Sequence, residues 1–328
     1  MSNNIYPWQI QAWAQLLAMR TRLPQALLVH GPKGVGKLAL AEHFSQLLLC
    51  EAAGSLQAPC GICDGCRWFL AGTHPDLRRL EPESLERLRY SGEEQDEPAP
   101  VASRTQKPST EIKVGQVRSL DGFLNLRSHR GRQRVVLVHP AEDMNPNAAN
   151  ALLKGLEEPQ AQAHFILVSH RPARLLPTIR SRCVALPVAL PDPGAAGSWL
   201  KAQGASDWEA WLAFAGGAPL RALEYASGAG ESIGRLRKAL QARDLETLGA
   251  VNDREQVEAL AEVLQKHALN VAMESYCGQS RYGQAAGSAQ AAAWLRYARQ
   301  MGRNRLLARH PLNPRLFAGE MLAGMPKA

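Results

Sequence analysis

Four of the six cysteines in this sequence fall within 17 positions, as Cys50-x9-Cys60-x2-Cys63-x2-Cys66. Four thiolates are the number that a closed tetrahedral zinc site takes. Gly61 and Gly65, between the ligands, permit the tight turns that aim sulfurs inward. A shell closed by four sulfurs leaves no place for water, so a zinc ion here is structural and not hydrolytic. Paired disulfides and unrelated buried thiols are the competing readings of the same spacing. Nothing between the cysteines reads as a helix for a DNA groove, which favours a structural or partner-docking knob.

The second constellation is Gly31-Pro32-Lys33-Gly34-Val35-Gly36-Lys37, which follows the apolar run ALLVH and opens a helical pattern. Gly31, Gly34 and Gly36 let backbone N–H groups wrap phosphate oxygens, and Lys37 offers a point charge to the outer phosphates of ATP or ADP. The next residue is Leu38, where a working phosphate loop carries the hydroxyl that holds Mg²⁺. The same stretch also fits a dinucleotide fingerprint, Gly34-x-Gly36-x-x-Ala39, but the acidic residue expected about 20 positions on is replaced by the cysteine cluster. A second requirement fails as well. The run RVVLV should end on acid for Mg²⁺ and water activation, yet it continues into His139-Pro140, with Glu142 and Asp143 displaced onto the following turn. Weak nucleotide binding is compatible with these residues, whereas hydrolysis is not expected.

Elements must position these groups. Ala26–His30, Arg134–Val138, His164–Ser169 and Cys183–Pro187 are short, nearly continuous apolar runs, as in a parallel sheet covered on both faces. Helical patterns near Leu38–Leu49 and Asn147–Glu157 alternate with them, which argues for an α/β doubly wound sheet. Residues 83–109, rich in acid and poor in apolar material, read as a mobile surface insertion or as an ordinary solvated loop with one short helix. PDPGAAG, after Leu190, reads as a linker, and beyond Ser198 the pattern is Ala-rich and helical. The boundaries expected are therefore 1–190, 191–231 and 232–328.

The chain of 328 residues carries a net charge of +8, which suits a nucleic-acid-facing protein without proving one. Arg127, Arg130, Arg132 and Arg134 form one basic cluster. Arg296, Arg299, Arg303, Arg305, Arg309 and Arg315 form another, and these read as phosphate contacts, a solvated helix face or partners for acidic subunits. The start MSNNIYPWQIQAWAQ shows no export signal, and no apolar window is long enough to cross a membrane, so a cytoplasmic protein is expected.

Asn147–Pro159 (NAANALLKGLEEP), HFILVS, Leu176–Cys183 (LPTIRSRC), the four-cysteine insertion and the ending Pro311–Leu322 together resemble the clamp-loader branch of AAA+ proteins. The resemblance implies an α/β AAA+ domain with an embedded zinc module, then a small helical lid and an all-α collar domain. It implies a rigid, non-hydrolysing subunit seated between a wrench-like delta subunit and a gamma/tau ATPase, in an assembly that opens a sliding clamp for primed DNA. It makes Arg182, in Ser181-Arg182-Cys183, an arginine finger for the neighbour's ATP, and Arg221 a weak candidate for a nucleotide-sensing arginine. An active AAA+ motor and a zinc-finger DNA-binding protein remain the alternatives.

Overall fold

The computed structural model describes residues 5–52, 57–90, 108–125, 133–157, 162–227, 231–277, 288–308, 310 and 313–326. The chain divides into two compact units, Met1–Pro191 and Asp192–Ala328.

The first unit is built on five strands: β1 (Ala26–His30), β2 (Leu77–Leu80), β3 (Arg134–Val138), β4 (Ala163–Ser169) and β5 (Val184–Pro187). Their spatial order is β2-β3-β4-β1-β5, and every pairing is parallel. Alternation along each strand explains the unbroken apolar runs. Leu27, Val29, Val135, Leu137, Ile166 and Val168 pack on one face against α1 (Ile10–Met19), α2 (Lys37–Leu49) and α3 (Asp64–Leu70). Ala26, Leu28, Val136, Val138, Phe165 and Leu167 face the other side. There they meet α5 (Val114–Arg118), α6 (Leu120–Asn125), α7 (Pro146–Glu157) and α8 (Pro177–Ser181). The three central strands are covered on both faces and so cannot be polar, whereas edge strand β5 buries only Leu186.

Strand β2 is absent from the sequence reading because LRRL carries two arginines in four residues. As an edge strand it tolerates them. Arg78 lies over the Phe123 ring at 4.7 Å, and Arg79 lies over Phe69 at 5.2 Å while pairing with Glu42. At the start of the proposed insertion the structure has a short helix, as one of the two readings allowed. It is α4 (Glu83–Tyr90), in which Arg89 makes a bidentate pair with Glu81 and a further bond to Glu42 on α2. Residues 91–107 lie outside the described residues.

The second unit is helical throughout its described residues, with α9 (Pro193–Ala202), α10 (Trp208–Phe214), α11 (Pro219–Ala226), α12 (Glu231–Ala242), α13 (Leu245–Gly249), α14 (Arg254–Cys277), α15 (Ser288–Leu307) and α16 (Pro314–Ala323). PDPGAAG spans the boundary between the two units and starts α9. Asp192 accepts from the N–H groups of Gly194 and Ala195, and Pro193 takes the first helical position, where its missing N–H costs nothing. Ala196, Leu200, Leu212 and Ala222 form a small core among α9, α10 and α11. A larger one joins Leu260, Leu264 and Ala268 of α14 to Trp294, Ala298 and Met301 of α15. No described helix is long and apolar enough to cross a membrane.

Candidate functional site: a phosphate loop without its acids, and a four-sulfur cluster

The glycines of the loop between β1 and α2 are required by geometry. Gly34 and Gly36 adopt φ of 87° and 82°, in the left-handed region that other residues enter at a cost. A Cβ on Gly31 would stand 2.1 Å from the Val188 carbonyl oxygen, and one on Gly36 would stand 2.5 Å from the Tyr6 ring. The chain's N-terminal segment closes on this loop, a contact that sequence reasoning missed. Trp8 Nε1 and Gln9 Nε2 both donate to the Val35 carbonyl, at 3.0 and 2.8 Å, and Tyr6 stacks on Trp8.

Lys37 is only 2% exposed, and its ammonium donates to the Pro32 carbonyl of its own loop. Burial pulls its pKa down to about 8, against the attraction of the Glu142 carboxylate. Leu38 is packed against the apolar core under the sheet and offers no oxygen. Glu142 sits on the short 3-10 turn Ala141–Asp143 after β3, and its carboxylate accepts from the His170 backbone N–H at 2.9 Å. Ser169, fully buried, caps the end of β4 by accepting from the Arg171 N–H.

Beside this loop, after β3 and after β4, the chain places two imidazoles. The rings of His139 and His170 meet edge to face with centroids 5.2 Å apart. Burial first, then Lys37, hold His139 down at about 4 and His170 at about 3, so both are neutral at pH 7. The Nδ1 atom of each has no hydrogen-bond partner among the described residues. Neutral imidazoles cannot replace carboxylates as Mg²⁺ ligands in this place, because hard cations take oxygen.

A pH dependence follows. The unfolded imidazoles titrate near 6.5. Because the folded values are lower, the unfolded state binds more protons between about pH 6.5 and 4, and stability must fall as pH falls through that window. The expected slope from each group is at most about 1.4 kcal/mol per pH unit. Urea titrations at pH 7.5 and 5 should show the loss, and His139→Asn should reduce it. Equal acid sensitivity in that variant would assign the loss elsewhere.

The four cysteines converge as their spacing predicts. Their sulfurs all lie within 4.8 Å of one another, with Cys60–Cys66 and Cys50–Cys63 each at 3.9 Å. A disulfide needs about 2.05 Å. A ZnS₄ tetrahedron with Zn–S bonds of about 2.3 Å has edges of about 3.8 Å, so the cage fits that ion. Backbone N–H groups of Cys60, Cys63 and Cys66 point at the sulfurs of Cys50, Cys60 and Cys63, each at 3.4 Å. The N–H groups of Ile62 and Cys63 draw the Cys60 thiol down to about 6, whereas burial pushes the Cys50 and Cys66 thiols up. Cys50 is the C-cap of α2 and Cys63 the N-cap of α3, so the cage ties those helices together.

Arg182 caps α8, with its guanidinium 36% exposed. It pairs with Glu157 at 2.6 Å and donates to the Thr178 carbonyl at 3.0 Å. Arg221 belongs to a network in the helical unit. The buried Glu262 carboxylate receives Arg221 at 2.8 Å, Lys266 at 3.0 Å, Arg305 at 3.1 Å and the Tyr225 hydroxyl at 2.7 Å. Burial pushes this carboxyl up, but the three cations outweigh it and hold it at about 2. Glu262→Gln removes the charge that three cations share, and should destabilise the second unit by about 2–3 kcal/mol in denaturant unfolding. A change under about 0.5 kcal/mol would show that the cations find solvent instead.

The basic clusters divide. Arg134 is buried, with its guanidinium on the Phe123 and Leu124 carbonyls, and cannot contact a nucleic acid. Arg127, Arg130, Arg132 and Arg309 lie outside the described residues. Arg315 is held by Asn252, and Arg305 by Glu262, whereas Arg296, Arg299 and Arg303 are exposed along α15.

A parallel sheet in the order above, a glycine loop between β1 and α2, and a helical unit after it define an AAA+-type protein with an embedded four-cysteine module. Residues 7–191 match the family described as DNA polymerase III, delta subunit, and the chain belongs to that family. Among its relatives is DNA polymerase III subunit delta' of Pseudomonas aeruginosa, 44% identical over 67% of this chain and 60% of that one. The Escherichia coli subunit delta' is 35% identical over 63% of this chain and 56% of its own length. DNA polymerase III subunit tau of Salmonella typhimurium is 34% identical over 50% of this chain and 21% of its own. The match thus spans less than two thirds of the length of these curated relatives.

Proposed function

We propose that the chain is a non-hydrolysing stator of a bacterial clamp loader, a subunit of DNA polymerase III that helps place a sliding clamp on primed DNA in the cytoplasm. The observation that carries this reading is that Leu38, His139 and Pro140 stand where a motor needs a hydroxyl and an acid for Mg²⁺ and a carboxylate for water, with His139 held neutral by burial. Gly31, Gly34, Gly36 and Lys37 keep a loop able to hold ATP or ADP weakly, once Lys37 leaves the Pro32 carbonyl. Arg182, exposed beside a core-anchored helix, supplies the guanidinium to the ATP of a neighbouring gamma/tau ATPase, and the delta subunit is the other neighbour. Cys50, Cys60, Cys63 and Cys66 hold a structural Zn²⁺, and Arg221 serves the packing of the helical unit through Glu262.

The test is steady-state ATP hydrolysis by the purified chain alone, with Mg²⁺ and primed DNA. No turnover above background is expected. Multiple turnover abolished by Lys37→Ala would make the chain a motor with a different metal site.

A further inference from the structure

From His164 to Leu190 the chain has no acidic residue, yet Arg171, Arg174, Arg180 and Arg182 are all exposed there. Among the described residues only Arg182 of the four has an ion-pair partner, the Glu157 carboxylate at 2.6 Å. Glu157 is the last residue of α7, where the helix dipole disfavours an anion, so helix stability does not account for an acid there. Both members of the pair stand on fixed ground. Leu156, beside Glu157, and Ile179, three residues before Arg182, are buried in the same core. The pair itself is open to solvent, at 36% and 49% exposure. An exposed pair of this kind shifts an equilibrium by a factor of about one to five, enough to hold a side chain and too little to keep it from a polyphosphate. The guanidinium has five donors, and its bonds to Glu157 and to Thr178 leave several free.

We infer that Glu157 is the resting counter-ion of Arg182: it occupies and orients the guanidinium in the free chain and is displaced by a phosphate group presented by a neighbouring subunit. Glu157 is a positioning residue that touches no substrate. The inference rests on the trans role of Arg182 proposed above.

The experiment titrates the full chain into the tau-type ATPase subunit of the same organism with Mg·ATP and primed DNA, using wild type, Glu157→Gln and Arg182→Ala. For Glu157→Gln, half-maximal stimulation should come at about two- to fivefold lower concentration with the same maximal rate, because the competitor is gone. An unchanged half-saturation point, or a lower maximal rate, overturns the counter-ion role while leaving the trans arginine standing. No effect of Arg182→Ala overturns the trans arginine itself. A second readout needs no partner. The Arg182 Nε–H signal in NMR, titrated with pyrophosphate, should report about two- to fivefold tighter binding in Glu157→Gln, and equal binding in the two chains also overturns the inference. Thermal melts of each variant check folding.

Discussion

On the trans role proposed for Arg182, replacing it with alanine should slow hydrolysis at the neighbouring ATPase site, by less than the roughly 10³-fold that such arginines contribute in GTPases, while leaving the fold of this chain unchanged. The size follows from what the guanidinium does. In phosphoryl transfer, charge spreads over three equatorial oxygens, and a planar, always-charged group aimed at them acts only where charge develops. Lysine at 182 should rescue little, since an ammonium lacks the bidentate fork. Losing the Glu157 and Thr178 contacts costs little stability, because both lie at the surface. The measurement is single-turnover ATP hydrolysis in the reconstituted assembly, with the site facing this chain isolated by inactivating the others. A loss of less than about threefold would mean that Arg182 is only a surface cation. The separation from Glu157→Gln is part of the prediction: one variant removes the charge, and the other frees it.

The second large effect concerns the sulfur cage. Cys66→Ser, or zinc removal by a strong chelator, should unfold the 50–66 excursion and destabilise the first unit by at least about 4 kcal/mol. Structural zinc contributes on the order of 10 kcal/mol in small modules that lack a core of their own. Cys66 and Cys50 are fully buried in the same core as Phe44, Leu47 and Phe69, so loosening the cage opens the apolar layer that α2 and α3 lay on the sheet. Elemental analysis should find one zinc per chain in the wild type, and denaturant unfolding should read the loss. A wild-type chain without zinc, or a Cys66→Ser variant of unchanged midpoint, would return the cluster to ordinary buried thiols. The same variant also bears on the zinc-finger alternative, which requires DNA affinity to collapse with the cage, whereas a structural module leaves affinity per folded molecule unchanged.

Residue type and spacing alone determined much of this. Four cysteines at short intervals can close on one metal whatever surrounds them, because a chain of 17 residues with glycines readily brings its ends together. The absent hydroxyl at Leu38 and the absent acid at His139 and Pro140 were equally legible, since each motif position demands one functional group and the residue present has none of it. The three central strands announced themselves because strands covered on both faces must be apolar on both, and β5 showed as a short apolar run although only its Leu186 is buried.

What only the tertiary structure decided involves partners far apart in sequence or charges whose meaning depends on neighbours. LRRL becomes a strand because Phe123 and Phe69 lie ready to cover its arginines. Arg134 read as one of a basic cluster, and it is instead buried because two carbonyls at 123 and 124 point at it. Glu262 also collects Arg221 and Arg305 from two other helices, and Glu157 meets Arg182 across 25 residues; neither of these pairings leaves a local signature. A sequence lists which groups are available, whereas the pairing of charges is a matter of distance in space, and distance is set by packing that no short window contains.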